Sequence, residues 1–489
     1  MEFKKLLKNT SFLVFSKGIQ FFIGILRSKV AAVYIGTLGV GIFSQISYLV
    51  TMISNVTLLS MNDGLVKQIV QNKNNNNYKN ILVELIKSYS VLISITTTVI
   101  IIFCLVFTEK LTIFFLGSSE YKLYYLLGIT CIPITIGNSL SYAVLKSNKD
   151  TILISRSNIL SSLLTIIFFL PLIYFFKTTG AVISVLLNFF FLLIINHLQV
   201  NRLFYRKLQI KYRDIAFAKI HKPYLKEFLT FAIFGATAGI ISLISESVCR
   251  SIVISQIGIQ KLGIYSPITS WSNLLIGFIL PSLSTYLYPR FSECKNNVEI
   301  KGILNDSIRM VTLLMIPFLF IAMPFRKIII PLFYSNDFLE AEKYLSIHFI
   351  GVLFYMWWYA FSQSLTPRGN IIIHGILITL MSILNVVIVL LFVPKLGLYG
   401  WMLKFLISPF IFFIIYFIVL KYLYGFNIYR KNLLIMLYVL LSALIIIIID
   451  NYSFKYFMSP IMILASIVFL SKSEKLFLLN FYKKFTYHK

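Results

Sequence analysis

The chain has 489 residues, of which 58% are hydrophobic and only 13% are charged. Soluble globular proteins carry about 25% charged residues, so this composition excludes that class; apolar runs of about 20 residues instead predict a polytopic helical membrane protein. The net charge of +28 does not indicate nucleic-acid binding, because the cations cluster in short segments between the apolar runs.

The first apolar run, residues 10–35, is expected to be an uncleaved membrane-spanning helix, because no small-residue cleavage site follows it. It contains three cations, Lys17, Arg27 and Lys29. A charge at bilayer depth is costly and is retained mainly where it faces a cavity or has a partner. The three are therefore candidate cavity cations, with the alternative that either lysine extends its side chain to the nearer membrane surface.

The apolar pattern predicts an all-α protein with about fourteen transmembrane helices. They are expected at residues 10–35, 40–61, 88–108, 123–144, 154–176, 180–200, 228–254, 262–287, 308–326, 345–365, 371–393, 400–420, 432–450 and 457–471. Of the 45 Lys and Arg residues, 31 lie in or beside loops on the side of the N-terminus, nine lie on the other side and five lie within spans. The positive-inside rule therefore predicts that both termini are cytoplasmic.

These spans are organised as two six-helix lobes with two further helices after them. Residues 1–200 form the predicted N-lobe, and residues 228–420 form the C-lobe. Residues 201–227 between them mix cations with Leu, Tyr, Phe and Ile, which predicts an amphipathic linker on the cytoplasmic face against anionic lipid. Residues 421–489 hold the last two spans and a basic tail.

The two lobes are predicted from an internal repeat. A shift of 222 residues lays Ile35-Gly36 on Ile257-Gly258, and Gly41-Ile42-Phe43-Ser44 on Gly263-Ile264-Tyr265-Ser266. An even number of spans separates the copies, so both have the same orientation in the membrane. Parallel repeats are related by an axis along the membrane normal, and in such transporters the substrate site lies between the halves near the midplane.

The second lobe also has charges inside its spans. Glu246 and Arg250 stand four residues apart on one helix, close enough to pair. The repeat places Arg250 at nearly the same depth as Arg27, and two opposed cations suit a multiply anionic group such as a pyrophosphate. The alternative is a structural Glu–Arg pair that neutralises itself. Lys404 is a further candidate cavity cation, although its position favours extension toward the outer interface.

Other residues carry weaker functional hypotheses. Asp63, at the inner end of the second span, is expected to be an interfacial cap, with ion coupling as the alternative. Trp357, Trp358 and Tyr359 are candidates for stacking on sugars, with helix packing as the alternative.

Catalytic chemistry is not expected from this sequence. The cysteines and histidines show no metal-ligand spacing, so the cysteines are expected to be apolar packers and no metal or cofactor is expected. There is no Gly-rich phosphate loop, which argues against a built-in ATPase. The longest outer loop has fewer than twenty residues, too few for an external catalytic domain.

Two segments give the chain a family resemblance, Ser28-Lys29-Val30-Ala31-Ala32-Val33-Tyr34-Ile35-Gly36-Thr37-Leu38-Gly39-Val40-Gly41 and Asn62-Asp63-Gly64-Leu65-Val66-Lys67. With two six-helix lobes and two extra helices, the chain resembles the multidrug/oligosaccharidyl-lipid/polysaccharide (MOP) exporter superfamily, and within it the Wzx-type O-antigen and polysaccharide-repeat flippases. Members tend toward Asn-Gly where Asp63-Gly64 stands here.

The resemblance implies translocation of an undecaprenyl-diphosphate-linked oligosaccharide from the cytoplasmic to the periplasmic leaflet of the bacterial inner membrane. It implies alternating access through a cationic cavity, no enzymatic step, and a polysaccharide polymerase and a chain-length regulator as partners. The alternative is a multidrug antiporter of the same superfamily. Such antiporters usually have acidic cavities, whereas the deep charges here are mainly positive, which favours the flippase.

Overall fold

The computed structural model describes residues 2–148, 151–230, 232, 236–449 and 453–470. These residues are helical and contain no β-strand, which confirms the predicted all-α fold. The helices are α1 Glu2–Leu58, α2 Met61–Asn72, α3 Tyr78–Val106, α4 Thr108–Leu116, α5 Lys122–Ser147, α6 Thr151–Val200, α7 Tyr212–Phe217, α8 Lys222–Thr230, α9 Ala236–Ile257, α10 Ile259–Glu293, α11 Asn297–Ala322, α12 Arg326–Phe333, α13 Glu342–Ser362, α14 Ile371–Leu396, α15 Leu398–Tyr424, α16 Arg430–Ile448 and α17 Lys455–Ser466.

Ten helical segments in the described part of the chain are long and apolar enough to cross a bilayer. Two of these segments each contain two predicted spans. The first and second spans lie in α1, which is kinked where Gly36 has a non-helical φ of 59°. The fifth and sixth spans lie in α6, which is kinked where Lys177 has a non-helical φ of 48°. With α10 over the eighth span and the short α17 over most of the fourteenth, the helices are consistent with the predicted spans. The predicted basic tail, residues 472–489, lies outside the described residues.

The first of two compact units comprises Met1–Pro267, Phe333–Phe338 and Ile378–Gly400. Its core lies where α1 packs along α5 and α6. Ala31 and Ala32 are at most 1% exposed, and such small residues let membrane helices approach closely. Because the unit combines helices from both predicted lobes, the lobe boundaries remain a prediction.

The repeat is visible in this unit where the second half of α1 meets the first turns of α10. A Cβ atom added to Gly41 would lie 2.4 Å from the carbonyl oxygen of Ile259, and one added to Gly263 would lie 1.9 Å from that of Thr37. Thr37 and Ile259 are 222 residues apart, as are Gly41 and Gly263. The two contacts are therefore equivalent, as they are across a two-fold axis, which agrees with the predicted parallel repeat.

The second compact unit comprises Ile268–Leu332, Leu339–Leu377 and Trp401–Lys489. At its centre α11 packs against α13, α16 and α17, so the last two helices belong to the folded unit. In α13, Gly351 allows α15 to approach, because a Cβ there would lie 2.1 Å from the carbonyl oxygen of Phe405.

Candidate substrate-binding site

Arg27 lies half-buried in the first half of α1. Its guanidinium carbon is 5.5 Å from the ring centre of Phe43 and 5.2 Å from that of Phe169, distances at which aromatic faces attract a cation. Nη2 donates a long hydrogen bond of 3.4 Å to Ser184 Oγ, while the buried Nε has no hydrogen-bond partner. Within the described residues, most of the five N–H donors of this guanidinium therefore have no acceptor.

The charge of Arg27 is also not neutralised. The ion pairs in the described part of the chain are Lys67–Glu227, Lys146–Asp63 and Arg250–Glu246, and none of them involves this arginine. A cation at membrane depth without a carboxylate is costly, so Arg27 remains a candidate functional residue. Its environment suits an anion that can accept several N–H donors at once.

Arg250 has a different environment, because its charge is paired. In α9 its Nε donates to Glu246 Oε1 at 3.1 Å, and its Nη1 donates to Gln45 Oε1 of α1 at 3.2 Å. The guanidinium also lies over the ring of Tyr48, 4.2 Å from its centre. The Tyr48 hydroxyl in turn donates to the carbonyl oxygen of Leu243 at 3.1 Å. The Glu246–Arg250 pair therefore ties α9 to α1 and carries little net charge.

The structure does not bring Arg27 and Arg250 together. Arg27 contacts Phe43, whereas Arg250 contacts Gln45 and Tyr48. At about 100° per residue, Gln45 and Tyr48 lie about 200° and about 140° around the helix from Phe43. The second half of α1 therefore lies between the two arginines in this conformation, and a shared two-arginine site remains a prediction.

The two candidate lysines of the first span differ in their surroundings. Lys17 is exposed. Lys29 is half-buried and donates a hydrogen bond to the backbone carbonyl of Tyr334. A carbonyl of the same compact unit therefore binds the Lys29 ammonium group, and both the cavity role of Lys29 and its extension to the outer membrane surface remain predictions.

Lys404 is only 3% exposed, so the expected extension toward the outer interface is wrong. Its ammonium group lies 4.1 Å from the ring centre of Trp401 and 4.5 Å from that of Phe405. His348 packs on Phe405 and forms a hydrogen bond of 2.6 Å with Ser272 Oγ. Aromatic faces thus hold the cation inside the second unit, where they offset part of the cost of burying it.

The aromatic candidates for sugar stacking are largely inside the protein. Trp357 has no exposed surface, and its indole Nε1 donates to Thr312 Oγ1 at 2.8 Å. Trp358 is 8% exposed and packs edge-on against Tyr416. Tyr359 is half-buried. In this conformation the two tryptophans act as packing residues, the alternative interpretation, and Tyr359 alone of the three has substantial exposed surface.

Asp63 lies in the first turn of α2, where a carboxylate interacts favourably with the helix dipole. It pairs with Lys146 at the end of α5, with Nζ and Oδ1 2.8 Å apart and about half of each side chain exposed. Both line a cavity of about 300 Å³ together with Asn55, Ser60 and Tyr142. Partial burial lowers the pKa of Lys146, but the hydrogen bond and charge of Asp63 outweigh this and raise it.

Replacement of Asp63 by asparagine is expected to leave the translocation implied by the family resemblance near the wild-type level at neutral pH. A solvent-exposed ion pair contributes no more than about 1 kcal/mol. Because the pKa of Lys146 is raised, this contribution is present below the usual lysine pKa of about 10.4 and is lost as the pH rises through the folded-state value. Thermal melting of the detergent-solubilised variant, with the Asp63→Lys/Lys146→Asp exchange as control, measures the pair. Loss of transport in Asp63→Asn would instead support ion coupling.

Several residues around the candidate site were missed from the sequence. Phe43, Phe169 and Ser184 surround Arg27 from positions up to 157 residues away. The contact of Gln45 could have been anticipated from the sequence, because a glutamine within an apolar span is costly to bury and needs a hydrogen-bond partner. The four cysteines, all within the described residues, form no disulfide and are buried, as expected of apolar packers. Among the described residues, no group of three or more His, Cys, Asp or Glu side chains could hold a metal ion.

Solved structures of transporters share this fold. A structure of "Lipid II flippase MurJ, inward closed conformation" aligns with a TM-score of 0.71 at 19% identity, over 98% of this chain and all of that one. An inward-facing multidrug resistance MATE family transporter aligns with a TM-score of 0.69 at 16% identity, over 85% and 94% of the two chains. A MOP superfamily transporter from Pyrococcus furiosus aligns with a TM-score of 0.61 at 16% identity, over 86% and 96%. The protein therefore has the fold of MOP superfamily transporters.

Sequence comparison identifies the family within that fold. Residues 6–295, more than half of the chain, match the family described as "Polysaccharide biosynthesis protein", and the chain belongs to this family. A Shigella flexneri protein named "Putative O-antigen transporter" is 22% identical over 355 residues, 71% of this chain and 82% of that protein. These matches confirm the resemblance to Wzx-type proteins of the MOP superfamily, and the chain is a multi-pass membrane protein of the polysaccharide biosynthesis family.

Proposed function

We propose that this protein is a flippase that moves an undecaprenyl-diphosphate-linked oligosaccharide, such as an O-antigen repeat unit, from the cytoplasmic to the periplasmic leaflet. The observation that carries the proposal is the state of Arg27. It is a membrane-embedded cation with no carboxylate partner and with unused N–H donors. A diphosphate supplies what this site lacks, because guanidinium groups bind phosphate oxygens bidentately.

The aromatic rings around Arg27 support this role. The rings of Phe43 and Phe169, whose centres are 6.3 Å apart, lie next to each other against the guanidinium, and contact with both limits its rotation before a ligand arrives. A side chain ordered in advance loses less conformational entropy on binding. Binding of the anionic headgroup would then neutralise the Arg27 charge that the protein leaves uncompensated. The charges of both the substrate and the protein would be balanced in the complex.

A groove in the second compact unit supports a lipid-linked substrate. It has a volume of about 900 Å³ and lies between α10, α11 and α17. Its wall is mainly apolar and includes Met310, Leu313, Leu314 and Ile463. An apolar groove of this size suits a prenyl chain rather than a sugar, and it gives α17 a role in holding the lipid part of the substrate.

The orientation follows from the distribution of cations. The excess of Lys and Arg on the side of the N-terminus places both termini in the cytoplasm of a bacterial inner-membrane protein. The short loops on the other side leave no room for a catalytic domain, which supports transport without covalent chemistry. A polysaccharide polymerase and a chain-length regulator would act on the product at the periplasmic face.

The second candidate function is a cation-coupled multidrug antiporter. The fold similarity to a MATE transporter and the presence of Glu246 within a span favour it. However, the Arg250 guanidinium lies against the Glu246 carboxylate, so a cationic drug or a coupling ion would have to displace it. The uncompensated charge at Arg27 also repels a cationic substrate.

Flipping is expected to respond to the membrane potential without ATP or an obligatory ion. The substrate carries one to two negative charges and the cell interior is electrically negative. Outward movement is therefore favourable by about 2.3 kcal/mol per charge per 100 mV. The test is translocation of a fluorescent diphosphate-linked oligosaccharide in proteoliposomes with a potassium-diffusion potential and no pH or sodium gradient.

A negative interior should strongly stimulate outward movement, and protein-free liposomes provide the baseline. Activity that depends on a pH gradient and ignores the potential would overturn the energetic part of the proposal. Absence of any translocation, combined with export of cationic drugs, would overturn the flippase itself.

A further inference from the structure

The segment between α6 and α9 carries a surface that the proposed transport cycle does not use. Residues 201–227, the linker, contain eight Lys and Arg residues and only two acidic residues. Three apolar side chains of the linker nevertheless face outward: Tyr212 is 54% exposed, Phe217 is 80% exposed and Ile220 is 46% exposed. Exposed apolar side chains within a strongly cationic segment are typical of a helix that lies on an anionic membrane.

Cations directly flank these apolar side chains. The guanidinium carbon of Arg213 lies 5.8 Å from the ring centre of Phe217. Asp214, the acidic residue of α7, is occupied in accepting a hydrogen bond of 2.9 Å from the backbone N–H of Lys211. α7 itself carries one cation and one anion, so the positive surplus beside the exposed aromatic ring comes from neighbouring linker residues such as Lys211 and Lys219.

The linker is also held at a defined level of the molecule. Lys87 Nζ of α3 donates to the carbonyl oxygen of Ala216 at 2.7 Å, and Ser88 Oγ accepts from the backbone N–H of His221 at 3.1 Å. The third predicted span begins at residue 88, within α3, so the proposed orientation puts both contacts at the cytoplasmic membrane surface. Phe217 and Ile220 stand between these two contacts in sequence and are thereby presented at the depth of the lipid headgroups.

We propose that Phe217 and Ile220 insert into the headgroup region of the cytoplasmic leaflet, while Arg213 and the neighbouring linker cations bind the phosphates of anionic phospholipids. The partner is the lipid surface itself, since position between two membrane helices, the cationic surplus and the exposed aromatic ring all fit it. The inference rests on the proposed orientation of the chain.

The linker is hydrogen-bonded directly to helices α2 and α3, so its binding to the membrane can affect their positions. Lys67 and Gln68 of α2 both donate to the carboxylate of Glu227, the last residue of the linker. Together with the two α3 contacts, this fixes the linker to the inner ends of α2 and α3. Anionic lipid therefore anchors these helix ends and makes flipping depend on the lipid composition of the leaflet.

The test places a reporter at the tip of this surface. The Phe217→Trp variant is reconstituted in nanodiscs of phosphatidylcholine, with or without phosphatidylglycerol, using lipids with brominated acyl chains as quenchers. The wild-type protein provides the emission of its four native tryptophans for subtraction. Asn76→Trp, in the exposed loop between α2 and α3, is the matched control for a water-exposed cytoplasmic position.

The brominated lipid is expected to remove most of the emission from residue 217 when phosphatidylglycerol is present, and much less in its absence or in high salt. The control position should not be quenched. Equal quenching with and without phosphatidylglycerol would overturn the assignment to an anionic surface. Residue 217 behaving like residue 76 would overturn insertion altogether and would point to a protein partner for this face. The readout requires no transport, so it is independent of the flippase proposal.

Discussion

Replacement of Arg27 by alanine is expected to abolish surface glycan display while the protein remains in the membrane at its normal level. Among the described residues Arg27 is a deep cation that forms no ion pair with a carboxylate, and its removal takes away both the charge and the N–H donors proposed to bind the diphosphate. The loss of one bidentate charge-assisted contact corresponds to about 1.5–3 kcal/mol, or roughly a 10- to 150-fold weaker interaction. Display is measured by surface glycan staining, and protein level by immunoblot.

Arg27→Lys is expected to restore display only in part. Lysine keeps the positive charge and can contact the rings of Phe43 and Phe169, but it cannot bind a phosphate bidentately. Lys110→Ala removes an exposed lysine of α4 and serves as the matched control for loss of one positive charge. Normal display in Arg27→Ala, together with loss of drug export in Glu246→Gln, would favour the antiporter.

The paired arginine should behave differently. Arg250→Ala removes the cation that balances the charge of Glu246, and an uncompensated charge at membrane depth is costly. Removal of both charges in Glu246→Gln/Arg250→Gln is therefore expected to preserve more function than Arg250→Ala alone. If the single and double variants lose display equally, Arg250 contacts the substrate directly.

Substitution of Gly263 by alanine is expected to separate the helix ends that now cross at Gly41 and Gly263. The added Cβ would lie 1.9 Å from the backbone carbonyl oxygen of Thr37, an atom that cannot move away as a flexible side chain would. Overpacking of this kind costs about 1–3 kcal/mol. Conformations of transporters differ by a few kcal/mol, so this cost is enough to shift the population toward a state in which these ends are apart.

In the proposed orientation these ends lie at the outer surface, so the variant should favour an outward-open state and flip slowly. Spin labels at Leu38 and Gln256 measure the distance between the two helix ends in wild type and variant. Gly24→Ala is the matched control in α1, because no atom lies within 4 Å of its added Cβ. An unchanged distance distribution together with full transport would show that the helix ends at Gly41 and Gly263 do not separate during the transport cycle.

The helices and the repeat could be predicted from the sequence because both depend on local patterns. Apolar runs determine where a chain can cross a bilayer, since each backbone polar group there must be bonded within its own helix. The repeat of Gly36 and Gly41 at Gly258 and Gly263 was visible because glycine is needed at left-handed turns and close helix contacts. The pairing of Glu246 with Arg250 was equally accessible, because residues four apart on a helix are neighbours.

The surroundings of each deep cation were decided only by the tertiary structure. The sequence determines how deep Arg27, Lys29 and Lys404 lie along their helices, but not which side chains face them from helices far away in the chain. Arg27 meets Phe169 from α6, and Lys404 lies among aromatic rings although its depth favoured the membrane surface. The cost of a buried charge depends on these neighbours, so the distinction between an uncompensated cation and a paired one appears only when the helices are packed together.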